Sequence, residues 1–536
     1  MLSYSPIIFI GSEEKPIKII SSDSTGEGLV LLNTNNEKIE ASQPPTFKVP
    51  ITEKLNKLLN PKLNNGNPIL NKPLLPPKNS NKVYSLTPKQ INDIKSLRGS
   101  VVDLHPGMGG ISPDKLIDMV NNGHKVTSID FMLTRSCNFE CTWCFANSSP
   151  KAKEYIPFDI LELVTKEAAN IGVSLFVLTG GEPIMYRDPK LGRLKKRGDH
   201  LFQVIKMIRD CYKEKKNQPK ILIFDDVALI TKEIANKFAK YEIGLCTKGD
   251  TLISELQDYK VNKLGAFNAM MKGYNALIEA GYGSNKNLRV VVNSVLDHTT
   301  FDSMLDTHMW TIRNGFDHSI VPVHYCGNAE DEDQEAGIQS MHVKVLYDLI
   351  SRVDSYYFDT NWHPWSAFTY NKTCNRNRSG LHVRADGDVT ACSESPDRNE
   401  TNRYTFGNVA DNDFSLTNLA NSKELSQFRD EFDNGHGTYV CSPDVCDLYK
   451  NKLCQGGCAV RSAYSAVDYN TGLIYKNNNV HNYSMMREDP LCPAWTVLAM
   501  QQNALKKGIL EKIHNRILIN ATKIDNNLFP YKECIN

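Results

Sequence analysis

The sequence predicts an α/β fold built on parallel strands, either an incomplete barrel or an open sheet. Three observations carry this. Six short apolar runs recur from about residue 125 onward, amphipathic helical stretches separate them, and turn residues punctuate the joins. The candidate strands are Val126–Leu133, Ser174–Leu178, Ile221–Phe224, Ile243–Cys246, Leu288–Val295 and Ser319–Val323. Helices are expected near 158–171, 199–213, 231–241, 264–280 and 301–314, with a further one over 335–353. The clearest is 264–280, where Phe267, Met270, Met271, Tyr274, Leu277 and Ile278 form one apolar stripe and Gly281 stands where a helix cap is expected. Strands alternating with helices imply right-handed parallel crossovers, and both candidate architectures gather chemistry at the C-terminal strand ends.

Length and composition bound the rest. At 536 residues the chain has room for several structural units, and 41% apolar with 23% charged residues is ordinary for a folded protein. Lys plus Arg total 62 against 61 Asp plus Glu, which excludes a globally polybasic nucleic-acid binder. No run of apolar residues is long enough for a membrane span, and the start MLSYSPIIFIGSEEK lacks the basic region of a signal peptide. A cytoplasmic setting is therefore expected, where closely spaced thiols bind metal more often than they form disulfides. Residues 1–60 alternate apolar runs (Pro6–Ile10, Ile17–Ile20, Leu29–Leu32) with polar turns and read as a small strand-rich unit. Residues 61–125 begin with a Pro/Asn-rich linker or strap, followed by short helix candidates at 88–97 and 112–122. The barrel-like region is expected over 126–366, a cysteine-rich and irregular region over 367–495, and a helical tail over 496–536.

The fourteen cysteines are unevenly spread. Cys137, Cys141 and Cys144 form a Cys-x3-Cys-x2-Cys loop directly after the first predicted strand. Three thiolates on one tight loop can hold three irons of a cubane cluster and leave the fourth open to a substrate. A structural zinc site needs a fourth ligand nearby, and Ser136, Asn138 and Thr142 are poor candidates.

This loop, with Trp143 just before its third cysteine, resembles the signature of the radical S-adenosylmethionine (radical SAM) enzymes. The resemblance is strengthened by Thr179-Gly180-Gly181-Glu182-Pro183 after the second strand, which is similar to that family's Gly-Gly-Glu-Pro turn. The resemblance implies a partial (β/α)6 TIM-like barrel. It also implies a 4Fe–4S cluster on Cys137, Cys141 and Cys144 whose open iron chelates S-adenosylmethionine. Gly180 and Gly181 would let the backbone approach the methionine moiety, Glu182 or nearby carbonyls would meet its ammonium, and Trp143 would pack beside the adenine. By position, Thr247 at strand four and Asn293 and Ser294 at strand five fall where relatives contact the cofactor. The plainer expectation is that these three satisfy strand-end backbone. Asp225 and Asp226 stand where relatives tend to have Thr-Asn-Gly; they would alter substrate choice or merely cap the next helix.

A second group comprises Cys374, Cys392, Cys441, Cys446, Cys454, Cys458 and Cys492 in Gly/Asn-rich chain, which reads as a metal-stabilised, coreless domain. Its order is similar to the SPASM extension of one branch of the family, with longer gaps from Cys441 to Cys446 and from Cys446 to Cys454. The resemblance implies one auxiliary 4Fe–4S cluster on Cys441, Cys446, Cys454 and Cys492, and another on Cys374, Cys392 and Cys458. The second set is one ligand short, leaving the position open or filled by an oxygen or nitrogen ligand or by Cys326. Clustered cysteines can also bind zinc. Cys211, Cys246 and Cys534 have no cluster spacing and read as buried hydrophobes or bystanders.

The resemblance implies reductive cleavage of S-adenosylmethionine to a 5′-deoxyadenosyl radical that abstracts a hydrogen atom. The implied substrate is a ribosomally made peptide or protein, which would be crosslinked, oxidised or epimerised. Flavodoxin or ferredoxin would be the reductant, and a leader segment would be recognised by an N-terminal unit. No nucleic acid or membrane partner is expected. The rivals are a small-molecule dehydrogenase or epimerase and a zinc-bound binding protein. Sulfatase-activating relatives carry Asp directly after the Gly-x4-Cys cysteine; here Ser393 and Glu394 follow Cys392, which counts against that substrate.

Overall fold

The computed structural model describes residues 18–21, 29–32, 88, 126–358 (without 286, 331, 335 and 336), 380–395, 404–434 (without 412), 441–451 (without 443), 456–467, 474–476, 489–501, 509–514 and 517. Near the N-terminus, β1 (Lys18–Ser21) and β2 (Leu29–Leu32) pair antiparallel, on two of the three apolar runs read as strand-forming. The Pro6–Ile10 run and most of 61–125 lie outside the described residues.

Six parallel strands follow in consecutive order: β3 (Ser128–Thr134), β4 (Leu175–Gly180), β5 (Lys220–Asp225), β6 (Gly244–Lys248), β7 (Val290–Leu296) and β8 (Asp317–Pro322). Each expected strand is present, and the connections carry α1 (Phe158–Ile171), α2 (Asp199–Cys211), α3 (Lys232–Lys240), α4 (Ser254–Lys260), α5 (Ala266–Glu279) and α6 (Met304–Arg313). The short α4 was not foreseen; seven residues with only Gln257 and Lys260 buried leave no apolar stripe to read. In α5, Phe267, Met270, Tyr274 and Leu277 are buried, and Gly281 ends it at φ +100°, with Tyr282 N–H bonded back to Leu277 O at 3.1 Å. A longer helix, α7 (Ser340–Phe358), starts later than the expected 335–353.

Alternation along the strands divides two environments. Phe176 and Leu178 of β4 and Ile221 and Ile223 of β5 join the main core beneath the helices. Leu175, Val177, Leu222 and Cys246 form a separate cluster inside the sheet's curve. Side chains of this second set share the face on which the strand-end chemistry stands.

One sequence reading is corrected. The stretch after 366 is not coreless: β9 (Gly380–Val383) pairs parallel with β3, and β10 (Asp388–Thr390) and β11 (Thr405–Asn408) continue the sheet antiparallel, giving nine strands in all. Leu381, Val383, Val389, Tyr404 and Phe406 belong to the main core. So do Leu416 and Leu419 of α8 (Leu416–Ala420) and Leu425 and Phe428 of α9 (Lys423–Asn434). Runs of three or four residues are too short to show a period, so the cysteines dominated the reading. Beyond them come α10 (Asp447–Lys450), α11 (Ala459–Tyr464), the ribbon of β12 (Ser465–Val467) and β13 (Ile474–Lys476), and α12 (Ala494–Gln501). Among the described residues no helix is long and apolar enough to cross a membrane.

Candidate radical-generating site

The cysteine loop leaves the C-terminal end of β3 and is fastened on three sides. Arg135 donates from Nε and Nη2 to Ala146 O at 3.0 and 2.7 Å, closing the loop on itself. Glu140 N–H reaches Val261 O at 3.2 Å and Thr142 N–H reaches Lys260 O at 3.0 Å, anchoring the middle to the end of α4. From beyond β8, Asn328 donates from its backbone to Cys144 O at 3.0 Å and from Nδ2 to Cys141 O at 2.8 Å. Lys260 is itself held by a buried ion pair with Asp297 at the end of β7. The unforeseen helix α4 is thus one of the loop's supports.

Cys137 and Cys141 are buried and Cys144 is half-buried, in an apolar nest of Phe139, Val261, Ala266 and Met270. Burial pushes the Cys137 thiol well up, helped by the nearby Asp226 and Glu182; it pushes Cys141 up to about 12 against the pull of Lys248. Phe139 N–H points at Cys137 Sγ and Ser148 N–H at Cys144 Sγ, each at 3.4 Å, which favours thiolates bound to a cation. Around the loop, Thr142 Oγ1, Trp143 Nε1, Ser148 Oγ and Asp226 Oδ2 are buried without a hydrogen-bond partner. Three neighbouring thiols on one tight loop, with unsatisfied polar atoms around them, fit a bound iron–sulfur cluster and a polar ligand beside it.

The Gly-Gly-Glu turn abuts this loop. Gly181 N–H bonds Thr134 O at 2.6 Å and Glu182 N–H bonds Ser136 O at 2.9 Å. A Cβ on Gly180 would stand 2.2 Å from Thr134 O, and one on Gly181 would stand 2.3 Å from Ser136 O. The glycines are therefore needed first for contact between two stretches of protein backbone, a reason different from the cofactor approach that the sequence implied. Gly180 also has φ +136°, which favours glycine.

Glu182 is fully buried and faces inward to the protein: Oε1 accepts from Ile184 N–H and Oε2 from Asp226 N–H, both at 2.9 Å. Its carboxylate groups with those of Asp225 and Asp226 within 4.8 Å. Burial raises all three: Asp225 to about 6 against the pull of its hydrogen bonds with Val227 N–H and Glu182, Asp226 to about 7 with help from the Asp225 charge, and Glu182 well above its ordinary range with help from both aspartates. Asp225 Oδ1 accepts from Val227 N–H at 2.7 Å and Asp226 Oδ1 from Ala228 N–H at 3.0 Å, while α3 is capped by Thr231. These acids therefore shape the turn after β5 and do not cap the helix.

Strand alternation decides the remaining candidates. Thr247 Oγ1 bonds Val291 O at 3.2 Å and accepts from Tyr274 of α5 at 3.0 Å, so it turns toward the helices. Ser294 does likewise, meeting His318 Nε2 at 2.9 Å beside His308 of α6. Both side chains are engaged on the helix-facing side of the sheet, with partners on β7, β8 and α5. Asn293, half-buried between Val292 and Ser294, is on the opposite face of β7 from Ser294. The residue the sequence reading missed is Lys248, next to Thr247 and so on the inner face. Its Nζ lies 3.2 Å from the centroid of the Trp143 ring and 3.1 Å from Asp250 Oδ2, occupying one face of that indole. Burial opposes the charge of Lys248, but Asp250 and Cys141 hold its pKa above the ordinary value.

In the second cysteine group, Cys441 and Cys446 are buried on one turn, with Cys446 N–H bonded to Ser442 O at 2.9 Å at the head of α10. Cys392 and Cys458 pack against the main core, and Cys492 N–H bonds Asp489 O at 3.0 Å. Cys374 and Cys454 lie outside the described residues, as does Cys534. Cys326 is buried in the main core, Cys246 is buried inside the sheet's curve and Cys211 is half-buried on α2.

Residues 131–334 match the Radical SAM superfamily, and residues 374–454 match SPASM, described as an iron–sulfur cluster-binding domain. Among solved structures, native anSMEcpe with bound AdoMet and Cp18Cys peptide is 14% identical with a TM-score of 0.48, over 73% of this chain and 99% of that one. Streptococcus suis SuiB bound to S-adenosylmethionine is 15% identical with a TM-score of 0.47, over 89% of this chain and 99% of that one. The same protein bound to its precursor peptide SuiA is 15% identical with a TM-score of 0.46, over 85% and 97%.

Proposed function

The chain belongs to the radical SAM superfamily and carries a SPASM iron–sulfur domain, and from that premise we propose that it modifies a ribosomally made peptide or protein. In this reading Cys137, Cys141 and Cys144 hold the cluster that binds S-adenosylmethionine. The observation that supports it best is the Gly-Gly-Glu turn pressed against the cysteine loop, at the rim where barrel enzymes do their chemistry. When bound, cluster and S-adenosylmethionine supply a hydrogen-abstracting radical through reductive cleavage.

The chain's own residues bind and orient. In this reading backbone carbonyls of the Gly180–Gly181 turn would meet the ammonium group, since the Glu182 carboxylate is already engaged by Ile184 N–H and Asp226 N–H. Lys248, stacked on Trp143 and electrostatically coupled to Cys141, would offer a cation to the carboxylate of the bound ligand. Asn293 is the remaining candidate for the ribose. Cys441, Cys446, Cys454 and Cys492, with Cys374, Cys392 and Cys458 as a second set, are the proposed auxiliary-cluster ligands, which suit oxidation of a substrate radical better than simple hydrogen return. The electron would come from a small carrier such as flavodoxin or ferredoxin.

The test is anaerobic. Iron-loaded protein given dithionite and S-adenosylmethionine should release 5′-deoxyadenosine, and the combined Cys137→Ala, Cys141→Ala and Cys144→Ala variant should not. With a short peptide encoded beside the gene, mass spectrometry should find the peptide two hydrogens lighter. Cleavage without any peptide modification would turn the reading toward a small-molecule substrate.

A further inference from the structure

The segment that follows the Gly-Gly-Glu turn is strongly charged. Residues 187–197 hold six cations, Arg187, Lys190, Arg193, Lys195, Lys196 and Arg197, and one acid, Asp188, whereas the whole chain has 62 basic residues against 61 acidic ones. All six cations are exposed. Lys190 pairs with Asp159 at 2.5 Å and Lys196 with Glu233 at 2.9 Å. Among the described residues, no carboxylate pairs with the side chains of Arg187, Arg193, Lys195 or Arg197.

The backbone beneath these cations is pinned. Asp188, 1% exposed, accepts from Phe158 N–H at 2.7 Å and from Lys190 N–H at 2.8 Å. Asp199 Oδ2 accepts from the N–H groups of Lys195 and Lys196 at 2.9 and 2.6 Å. Both carboxylates are spent on holding backbone, which leaves the cationic side chains outside. The same rim continues to the cysteine loop. Cys137 N–H bonds Ser149 O at 3.1 Å and Arg135 N–H bonds Glu154 O at 2.9 Å, so residues 149–154, with exposed Lys151 and Lys153, lie directly against that loop. Tyr155 then meets Tyr186, the residue before Arg187, edge-on at 6.4 Å. A basic rim therefore runs from beside Cys137 to the head of α2.

We propose that this rim is the docking face for an acidic electron-carrier protein of the flavodoxin or ferredoxin kind. The reduced carrier gives one electron to the cluster on Cys137, Cys141 and Cys144 and leaves oxidised by one electron. The proposal rests on the reading that those cysteines hold the reducible cluster. Charge complementarity selects the partner: electron-transfer complexes bury little area, are weak and are steered by opposite charge. Electron transfer also weakens steeply with distance, so a carrier gains by docking beside the cysteine loop. A peptide, by contrast, is captured by an unpaired strand edge or an apolar groove. β4 is paired on both sides by β3 and β5, and among the described residues the exposed large apolar side chains, Leu163, Tyr259 and Leu264, all lie outside the segment.

The experiment compares full-length, anaerobically iron-loaded parent with a variant combining Arg193→Glu, Lys195→Glu and Arg197→Glu. A control reverses as many exposed charges at the other end of α2, with Lys213→Glu, Lys215→Glu and Lys216→Glu. Binding of a purified flavodoxin, followed by biolayer interferometry, should weaken on the order of tenfold at low salt in the first variant and hardly move in the control. Parent binding should fall as salt is added, and that dependence should flatten in the variant. With reduced flavodoxin as donor, the variant's KM for the carrier should rise by a similar factor while kcat stays near the parent. Unchanged binding, or equal weakening in the control, overturns the docking face. So does a variant that loses an acidic peptide or single-stranded RNA but binds flavodoxin like the parent. Dithionite needs no docking and tests the premise separately. If it releases no 5′-deoxyadenosine from the parent, while flavodoxin binding still depends on the rim, the cluster reading fails and the docking face stands.

Discussion

The backbone N–H of Asp226 donates to Oε2 of Glu182 at 2.9 Å, tying the turn after β5 to the Gly-Gly-Glu turn after β4. Ile184 N–H uses the other oxygen at 2.9 Å. Glu182→Ala would strand two buried donors, at about 1–3 kcal/mol each. It should lower both the melting temperature and 5′-deoxyadenosine formation. Glu182→Gln still offers one acceptor and should lose less; equal losses would show that the brace is unimportant.

Gly181 has no room for a side chain. Gly181→Ala would place a Cβ 2.3 Å from Ser136 O and 2.7 Å from Arg135 O, backbone atoms that cannot swing aside. The loop must then shift, so iron bound at Cys137, Cys141 and Cys144 should drop at least severalfold while the auxiliary iron stays. Gly244→Ala is the contrast: its Cβ would rest 3.4 Å from a Leu222 methyl, and iron content should not change.

Lys248 joins Trp143 and Asp250 across the site. Replacing it with Met removes a desolvated cation–π contact worth about 2 kcal/mol and leaves Asp250 buried without its cation. Lys248→Met should reduce stability and S-adenosylmethionine cleavage together. Adding Asp250→Asn should recover part of the stability but not the cleavage. Recovery of both would mean that the lysine only balances charge.

Asp226 predicts a pH signature. Burial, then Asp225, raises its folded-state pKa from 3.8 to about 7. A group raised in this way contributes stability below its unfolded pKa and loses it as pH climbs through the folded value. Asp226→Asn keeps the acceptor for Ala228 N–H and removes the titration. In metal-free protein the variant should therefore melt higher than the parent at pH 8, by a few kcal/mol at most, and nearly together with it at pH 4. A constant difference across that window would mean that Asp226 does not titrate there.

The parts of the site that could be read without coordinates are those set by local spacing. Cys137, Cys141 and Cys144 are bound to one loop whatever the rest of the chain does, and two adjacent glycines before Glu182 announce a close approach, which the structure shows to the backbone of Thr134 and Ser136. Residues at strand ends resisted such reading. Thr247 and Lys248, or Asn293 and Ser294, are neighbours in the chain but point to opposite sides of the sheet, and a one-residue choice of register decides which faces the chemistry. Lys248 could have been flagged as a lysine on an otherwise apolar strand, an expensive residue to bury without a purpose.

The fourteen cysteines and six alternating strand–helix units were enough to point to a parallel α/β sheet or partial barrel, a cysteine loop at its first strand end and a cysteine-rich extension, because each is specified by residues close together in sequence. What joined them was decided only when the chain closed on itself. β9 docks on β3, with Ser128 opposite Gly380. His324 meets Cys458, 134 residues away, and Asn328 reaches back 187 residues to Cys141. Such contacts follow from packing, burial and paired charge, which act through space and leave no fixed interval in the sequence for a reader to find.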